Sequence, residues 1–498
     1  MLGGAGVLVV GRYVVAALAW VGSIIVVRQL TLDQFGRLTT IFAVLGIVGF
    51  VADLRLSRIV LRDVISAEHD EAGRIVGSYV GLRLVIGLVS YVIAMAWVLV
   101  VGYPSDVVVG TAVAGLNLIV LSVAFGIVLL FEARLWLRPL AAGNVFGQVI
   151  QFGMTVAIAA SGVASILWFS GVVVANGVAV LLWVFVVARR SVRLQLGFDA
   201  AQWWVWMREA APLALGAALD TVYFRIDIVM LSMLDTDRAV AIYGVAYKFS
   251  DLLGAVPLAV AIPALTMMIA AWPHDPARFR GTFRHALILL TVAAMGACAG
   301  FLVFAEPLVS ILYGERYEVA ADAARLLVVG QSLHFFTLLA FSTLVAVGRN
   351  RLYPIAMLAG VALNVGLNVA LIPEYSYLGS GWATVVTESM VLVVLGLGVA
   401  RIPGIRPFPV VAMAKCALAG VLAAGVGWAL FLVIPWYVAA AVAASTYLAA
   451  VHVLAVNGPG GLRALAGAPR DDLHGYVALE TVVEEEIYRP SPGDSSPG

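Results

Sequence analysis

The stretch from Pro212 to Pro263 is apolar enough for a bilayer, yet it carries Asp220, Arg225, Asp227, Lys248 and Asp251. A charged side chain at the middle of a membrane helix costs roughly 2.5–3.5 kcal/mol on insertion scales, so such groups face a partner or water. Two helices fit the stretch, about Glu209–Leu234 and Ala239–Ala271, joined by the polar turn Asp235-Thr236-Asp237-Arg238. Asp220 and Asp227 are seven residues apart and share a face. Lys248 and Asp251 are three apart and can pair. Charge on one face of a lipid-depth hairpin implies a wet cavity.

The remaining buried-type charges extend this reading. Arg12 lies inside the first apolar run, Arg83 about 12 Å into the third by the rise per residue, and Arg55 and Arg58 near the inner end of the second. Arginine stays protonated and presents a planar fork that suits phosphate oxygens, so a cavity lined by Arg12, Arg83, Arg225 and Lys248 would draw in an anionic head group. For Arg12, Arg58 and Arg83 the competing role is snorkelling to the interface. The carboxylates Asp53, Asp220, Asp227, Asp251 and Glu388 either neutralise these bases or take up a coupling proton or Na⁺. Pairing with Lys248 suffices for Asp251. Glu388 has no partner evident from sequence, and a lone buried carboxylate tends to protonate. Asn144, Gln148 and Gln151 share a face of one helix, and Asn364 and Asn368 share a face of another. Amides so placed either hold helices together or meet sugar hydroxyls. His285 and His334 are single and read as structural, and Cys298 and Cys416 as neither disulfide nor metal ligands.

The elements that position these groups are helices. The chain has 498 residues, 63% hydrophobic and 12% charged, with a mean hydropathy of +1.03. Soluble proteins carry about 25% charged residues. Apolar runs of ~20 residues recur from end to end, which defines an all-α polytopic membrane protein and excludes the ~10-residue alternation of a barrel. Met1–Leu8 lacks a basic leader, so the first run is expected to span rather than to be cleaved.

About fourteen transmembrane helices are expected. They are Gly6–Val27, Gly36–Arg58, Ile75–Val101, Val107–Phe131, Leu140–Gly162, Ser165–Ala188 and the hairpin above, then Arg284–Phe304, Ala320–Val347, Leu352–Ile372, Leu378–Val399, Val410–Val433 and Trp436–Ala455. Pro257 and Pro263 should kink the eighth. Arginines concentrate in the loops after even-numbered helices, among them Arg134, Arg138, Arg189, Arg190, Arg349 and Arg351. By the positive-inside rule both termini are then cytoplasmic.

Two junctions match across the halves: an acidic turn before Phe35-Gly36, and another before Tyr243-Gly244. A parallel repeat of this kind is a standard transporter plan. The linker 189–208 carries Trp203, Trp204 and Trp206, suited to the interface. The segment from Asn457 on, with Glu484-Glu485-Glu486 and a Pro/Gly-rich end, reads as a disordered cytoplasmic tail at 456–498.

From Leu344 to Glu388 the chain reads LVAVGRNRLYPIAMLAGVALNVGLNVALIPEYSYLGSGWATVVTE. Gly348-Arg349-Asn350, the pair Asn364 and Asn368, Ile372-Pro373 and Gly379-Ser380-Gly381-Trp382-Ala383-Thr384 resemble the tenth-to-twelfth helix region of oligosaccharide flippases. These are the Wzx-like branch of the multidrug/oligosaccharidyl-lipid/polysaccharide exporter superfamily. Arg225-Ile226-Asp227, Ile242-Tyr243-Gly244, Leu312-Tyr313-Gly314 and the segment from Asp53 to Arg62-Asp63 carry the same likeness, which covers about Gly11 to Ala455. The chain departs from the pattern at Leu54-Arg55, Tyr375-Ser376-Tyr377, Ser380 and Trp382, which bears on sugar specificity more than on fold.

The resemblance implies two six-helix lobes around a cationic cavity, at 1–188 and 209–402, with two additional helices at 403–455. It implies a flippase, without enzymatic activity, cofactor or nucleic-acid partner, in the cytoplasmic membrane. The expected cargo is a polyprenyl- or dolichyl-diphosphate-linked oligosaccharide. The expected partners are membrane lipids and the glycan polymerase and glycosyltransferases of the same pathway. A peptidoglycan-precursor flippase, a cation-coupled drug exporter and a membrane-embedded glycan polymerase or ligase are the alternatives.

Overall fold

The computed structural model describes residues 2–53, 56–67, 69–190 and 197–454, with the side chains of 2–9, 50–53, 69–70, 212–213 and 215–220 undescribed. The tail, Arg55, part of the 189–208 linker and the side chains of Asp53 and Asp220 therefore lie outside the described residues. Among the described residues the regular elements are helical: fifteen α-helices and one short 3₁₀ turn, Glu315–Tyr317. In order they are α1 (Leu2–Gln29), α2 (Leu32–Asp53), α3 (Leu56–Ser66), α4 (His69–Val101), α5 (Ser105–Ala133), α6 (Leu137–Ala160), α7 (Ile166–Ala188) and α8 (Ala200–Leu234). There follow α9 (Asp237–Leu253), α10 (Ala255–Ala271), α11 (Pro276–Tyr313), α12 (Ala320–Ala346), α13 (Leu352–Ala400), α14 (Val410–Phe431) and α15 (Trp436–Val453). Twelve helical segments among the described residues are long and apolar enough to cross a membrane.

Residues 1–244 and 245–498 form two compact units. In the first, α5 is the central helix, packed on α2, α4 and α7, with α1 against α6 and α8 against α2. In the second, α12 is central, packed on α10, α11 and α13, with α14 and α15 against α11. The lobe boundaries read from the sequence, 1–188 and 209–402, remain a proposal.

Three local features of these helices have physical causes. The second expected helix does not run unbroken to Arg58: α2 ends at Asp53, and the separate α3 follows. It is amphipathic, burying Leu56, Ile59, Val60 and Val64 while Arg62 stays exposed. The long eighth helix breaks at Gly254 into α9 and α10. That position is three residues before Pro257, whose ring and missing N–H disturb the turn preceding it. The three tryptophans of the linker begin α8, and Trp204 alone of them is exposed. Trp206 is buried edge-to-face on Tyr79 and donates to Asp63 Oδ2 at 2.8 Å; Trp203 donates to Ser78 Oγ at 3.0 Å. Two thus anchor α8 in the core beneath α3 rather than at a lipid surface.

The single run α13 holds both expected helices, Leu352–Ile372 and Leu378–Val399. At 49 residues it would extend ~74 Å if straight, more than twice a hydrocarbon core of ~30 Å. It folds instead at Ser376, where φ is 53° and ψ −138°, after Pro373. A Cβ on Gly379 would collide with the Leu371 carbonyl oxygen, so the two arms come together only because that residue is glycine. Each arm, about 24 residues or ~36 Å, is by itself long enough to cross such a core.

The paired acidic junctions read from the sequence meet in the first unit. A Cβ at Gly36 would overlap the carbonyl oxygen of Asp237, so the start of α2 touches the backbone at the start of α9. Along α2, Gly46 has open space at its Cβ. We expect Gly36→Ala to destabilise the protein in detergent by ~1–3 kcal/mol, the usual cost of overpacking. Gly46→Ala should be neutral or stabilising by up to ~1 kcal/mol. Equal melting temperatures for the two variants would refute the close approach.

Candidate functional site

At one end of the first unit Arg37 on α2 spans two carboxylates. Its Nε donates to Asp237 Oδ2 at 2.7 Å and its Nη1 to Asp106 Oδ2 at 2.6 Å, tying α2 to the first turns of α5 and α9. All three side chains are about one-third exposed, so solvent screens the pairs and each contributes at most about 1 kcal/mol.

Deeper in the same unit Asp227 is 2% exposed. Its Oδ1 accepts from the Ile228 amide at 2.8 Å, and its Oδ2 accepts the Tyr243 hydroxyl at 2.6 Å, joining α8 to α9. The short hydroxyl bond to a charged acceptor is of the stronger kind. Tyr103, in the turn between α4 and α5, hydrogen-bonds Ser232 of α8 at 2.7 Å and pins the same helix from the other side.

Arg83 does not snorkel. It is 1% exposed, with its guanidinium carbon 5.7 Å from the Tyr79 ring centroid and 5.6 Å from that of Phe125. Such a desolvated cation over aromatic faces gains ~2 kcal/mol or more. Its backbone carbonyl accepts the Ser122 hydroxyl at 2.7 Å, which fastens α4 to α5.

The other expected contact residues of this unit are dispersed. Arg12 on α1 and Asn144 on α6 are exposed, Gln148 on α6 is buried, and Arg225 on α8 is half-buried. Gln151 does what amides between helices do: its Oε1 accepts from Asn176 Nδ2 of α7 at 2.9 Å.

In the second unit Glu388 of α13 is 3% exposed and has partners that sequence reading missed. His334 Nδ1 of α12 is 3.2 Å from its Oε1, and the Thr337 hydroxyl donates to its Oε2 at 3.3 Å. His334, read as a lone structural histidine, is thus half of an ionisable pair. The available signal was phase: His334 and Thr337 are three apart on one helix and share a face. Their partner lies 54 residues from His334, on another helix, and no local pattern announces it.

Asn364 and Asn368 lie together, both buried, and serve the bend in α13. Asn368 Nδ2 donates to Asn364 Oδ1 at 2.9 Å, and its Oδ1 accepts the Ser380 hydroxyl from beyond Ser376 at 2.7 Å. Lys248 on α9 is half-buried and Asp251 exposed. Among the described residues no cluster of His, Cys, Asp and Glu could hold a metal ion.

A bundle of membrane-length helices carrying buried, partnered charges is the architecture of a polytopic membrane protein. Solved structures agree on the fold. The lipid II flippase MurJ in an inward closed conformation superposes with a TM-score of 0.73 at 12% identity, over 90% of this chain and 98% of that one. An inward-facing multidrug resistance MATE family transporter of the MOP superfamily gives 0.60 at 14% identity, over 77% and 94%. A MOP superfamily transporter from Pyrococcus furiosus, described by the reverse polarity of its binding pocket, gives 0.51 at 13%, over 79% and 94%.

This chain therefore shares the fold of those proteins, two of which are described as transporters of the MOP superfamily. The model of the polysaccharide biosynthesis protein family matches residues 25–322, more than half of the chain, and the chain belongs to that family. No curated protein matches its sequence.

The Asp227–Tyr243 bond should be measurable by a double-mutant cycle in detergent. Asp227→Asn and Tyr243→Phe are each expected to lower thermal stability, and the pair to lose less than the sum, with a coupling of ~1–3 kcal/mol. Strictly additive losses would show that the bond contributes nothing.

Proposed function

We propose that this protein moves a polyprenyl- or dolichyl-diphosphate-linked oligosaccharide across the cytoplasmic membrane by alternating access, for cell-surface polysaccharide or glycoconjugate synthesis. The observation that carries this reading is membership of the polysaccharide biosynthesis family across residues 25–322. The physical need is clear: sugars and phosphates face a large desolvation cost in hydrocarbon, and a protein must supply a polar route.

The disposition of charge supports an anionic cargo over an organic cation. Among the described residues the two buried carboxylates already have donors, Asp227 from Tyr243 and Glu388 from Thr337, with His334 beside it. The basic groups Arg12, Arg83, Arg225 and Lys248 are assigned to the diphosphate, with Asn144, Gln148, Asn364 and Asn368 as polar lining. Arg83 is enclosed in the conformation described, so it would meet cargo only after the helices around it shift. Asp53, Asp220, Asp227, Asp251 and Glu388 are assigned to charge pairing or coupling, Glu388 with His334 foremost. Both termini are placed in the cytoplasm by the arginine asymmetry of the loops. The glycan polymerase and glycosyltransferases of the pathway are the natural partners.

A deletion strain should accumulate the lipid-linked intermediate on the inner leaflet and lose the mature glycan, as seen by thin-layer separation of extracted lipids. A normal glycan profile with raised drug sensitivity would favour an exporter instead. In complemented cells Glu388→Gln is expected to cut glycan export at least about ten-fold while the protein still reaches the membrane, the size expected when a buried charged partner is lost. Full export by this variant would remove Glu388 from the coupling role.

A further inference from the structure

Where α11 and α14 approach each other there is a cavity of about 260 Å³ lined by Arg284, Phe408, Pro409, Val410, Val411, Ala412 and Lys415. All of these residues lie in the second unit. Neither cation has an ion-pair partner among the described residues. The loop 401–409, all of α14 and the stretch of α11 from Pro276 to Ala305 hold no carboxylate, and the same segments also carry Arg278, Arg280, Arg401 and Arg406. The walls are apolar: the Phe283 and Phe408 rings stand 6.0 Å apart, and Ile288, Cys416 and Ala419 seal the helix contact behind.

Depth follows from helix length. With 22 residues α14 is ~33 Å long, just enough for a hydrocarbon core of ~30 Å. Its first turn therefore stands at the membrane interface, and Lys415, ~7.5 Å further along, reaches that level through its long side chain. α11 has 38 residues and at ~57 Å is longer than the core, and its Arg284 shares the cavity with the first turns of α14 and so stands at their level. The cavity thus opens at head-group level, with two cations on separate helices and an apolar flank beside them. Its volume is below the roughly 300–1,000 Å³ of sites that enclose a drug-sized molecule, and suits a head group whose tails stay outside.

We propose that this pocket binds the phosphate head group of an anionic glycerophospholipid of the surrounding bilayer, with Arg284 and Lys415 gripping the phosphate and its acyl chains lying on the adjoining apolar wall. Basic pockets between transmembrane helices at the interface take such head groups. The proposal is independent of which cargo the protein carries. A phosphorylated polyprenol offers the same chemistry from a different source, and the experiment separates the two.

The full-length protein, purified in detergent, is titrated with phosphatidylglycerol, with phosphatidylcholine as zwitterionic control and with polyprenyl phosphate, and retained lipid is counted by native mass spectrometry. Wild type should prefer phosphatidylglycerol over phosphatidylcholine by roughly thirty-fold, about five-fold per cation. Arg284→Gln/Lys415→Gln should lose that preference, while the charge-conserving Arg284→Lys/Lys415→Arg should keep it, which distinguishes lost binding from lost fold. A preference that persists in the glutamine variant would overturn the proposal. So would retention of polyprenyl phosphate without phosphatidylglycerol, which would assign the pocket to the cargo lipid.

Discussion

Hydrocarbon does not solvate charge, and the arrangement of this protein follows from that constraint. With 12% charged residues in a chain of mean hydropathy +1.03, each ionisable side chain must lie at a helix end or find a partner within the bundle. Both solutions are used. Arg37 with Asp106 and Asp237 gathers charge at helix ends. Asp227 with Tyr243, Glu388 with His334 and Thr337, and Arg83 over two aromatic rings place it inside, each spanning two helices. Partnered charges of this kind also dictate which helices stay together, because separating them would leave an ion in hydrocarbon.

The backbone answers to the same constraint. The bend of α13 at Ser376 shows how the backbone tolerates irregularity at membrane depth. Asn364, Asn368 and Ser380 join its two arms by a chain of side-chain hydrogen bonds, so the protein itself holds the irregular turn in place.

Much of the fold is legible in the sequence because spanning helices are written in long apolar runs, and a run of ~20 residues matches the thickness of a bilayer core. The acidic junctions before Phe35-Gly36 and Tyr243-Gly244 are legible too, and they meet in space as neighbours. The short helix α3 is not, since its alternation of Leu56, Ile59, Val60 and Val64 with arginines looks like a basic loop until the core beneath it is known. The break at Gly254 follows from Pro257. The site is less readable. Residue types are visible, but partners such as His334 and Glu388, 54 positions apart, depend on helix phases and packing that no local window contains. Asn364 and Asn368 can be placed on one face, yet only the bend shows that they hold backbone arms together.

The central claim is that these buried charges serve the passage of a lipid-linked anion. The most direct measurement is leaflet-to-leaflet movement of a polyprenyl-diphosphate saccharide in vesicles reconstituted with the purified protein. The account predicts protein-dependent transfer that excess lipid-linked glycan suppresses and an organic cation does not. Vesicles that move the cation while leaving the diphosphate lipid in its original leaflet would contradict it.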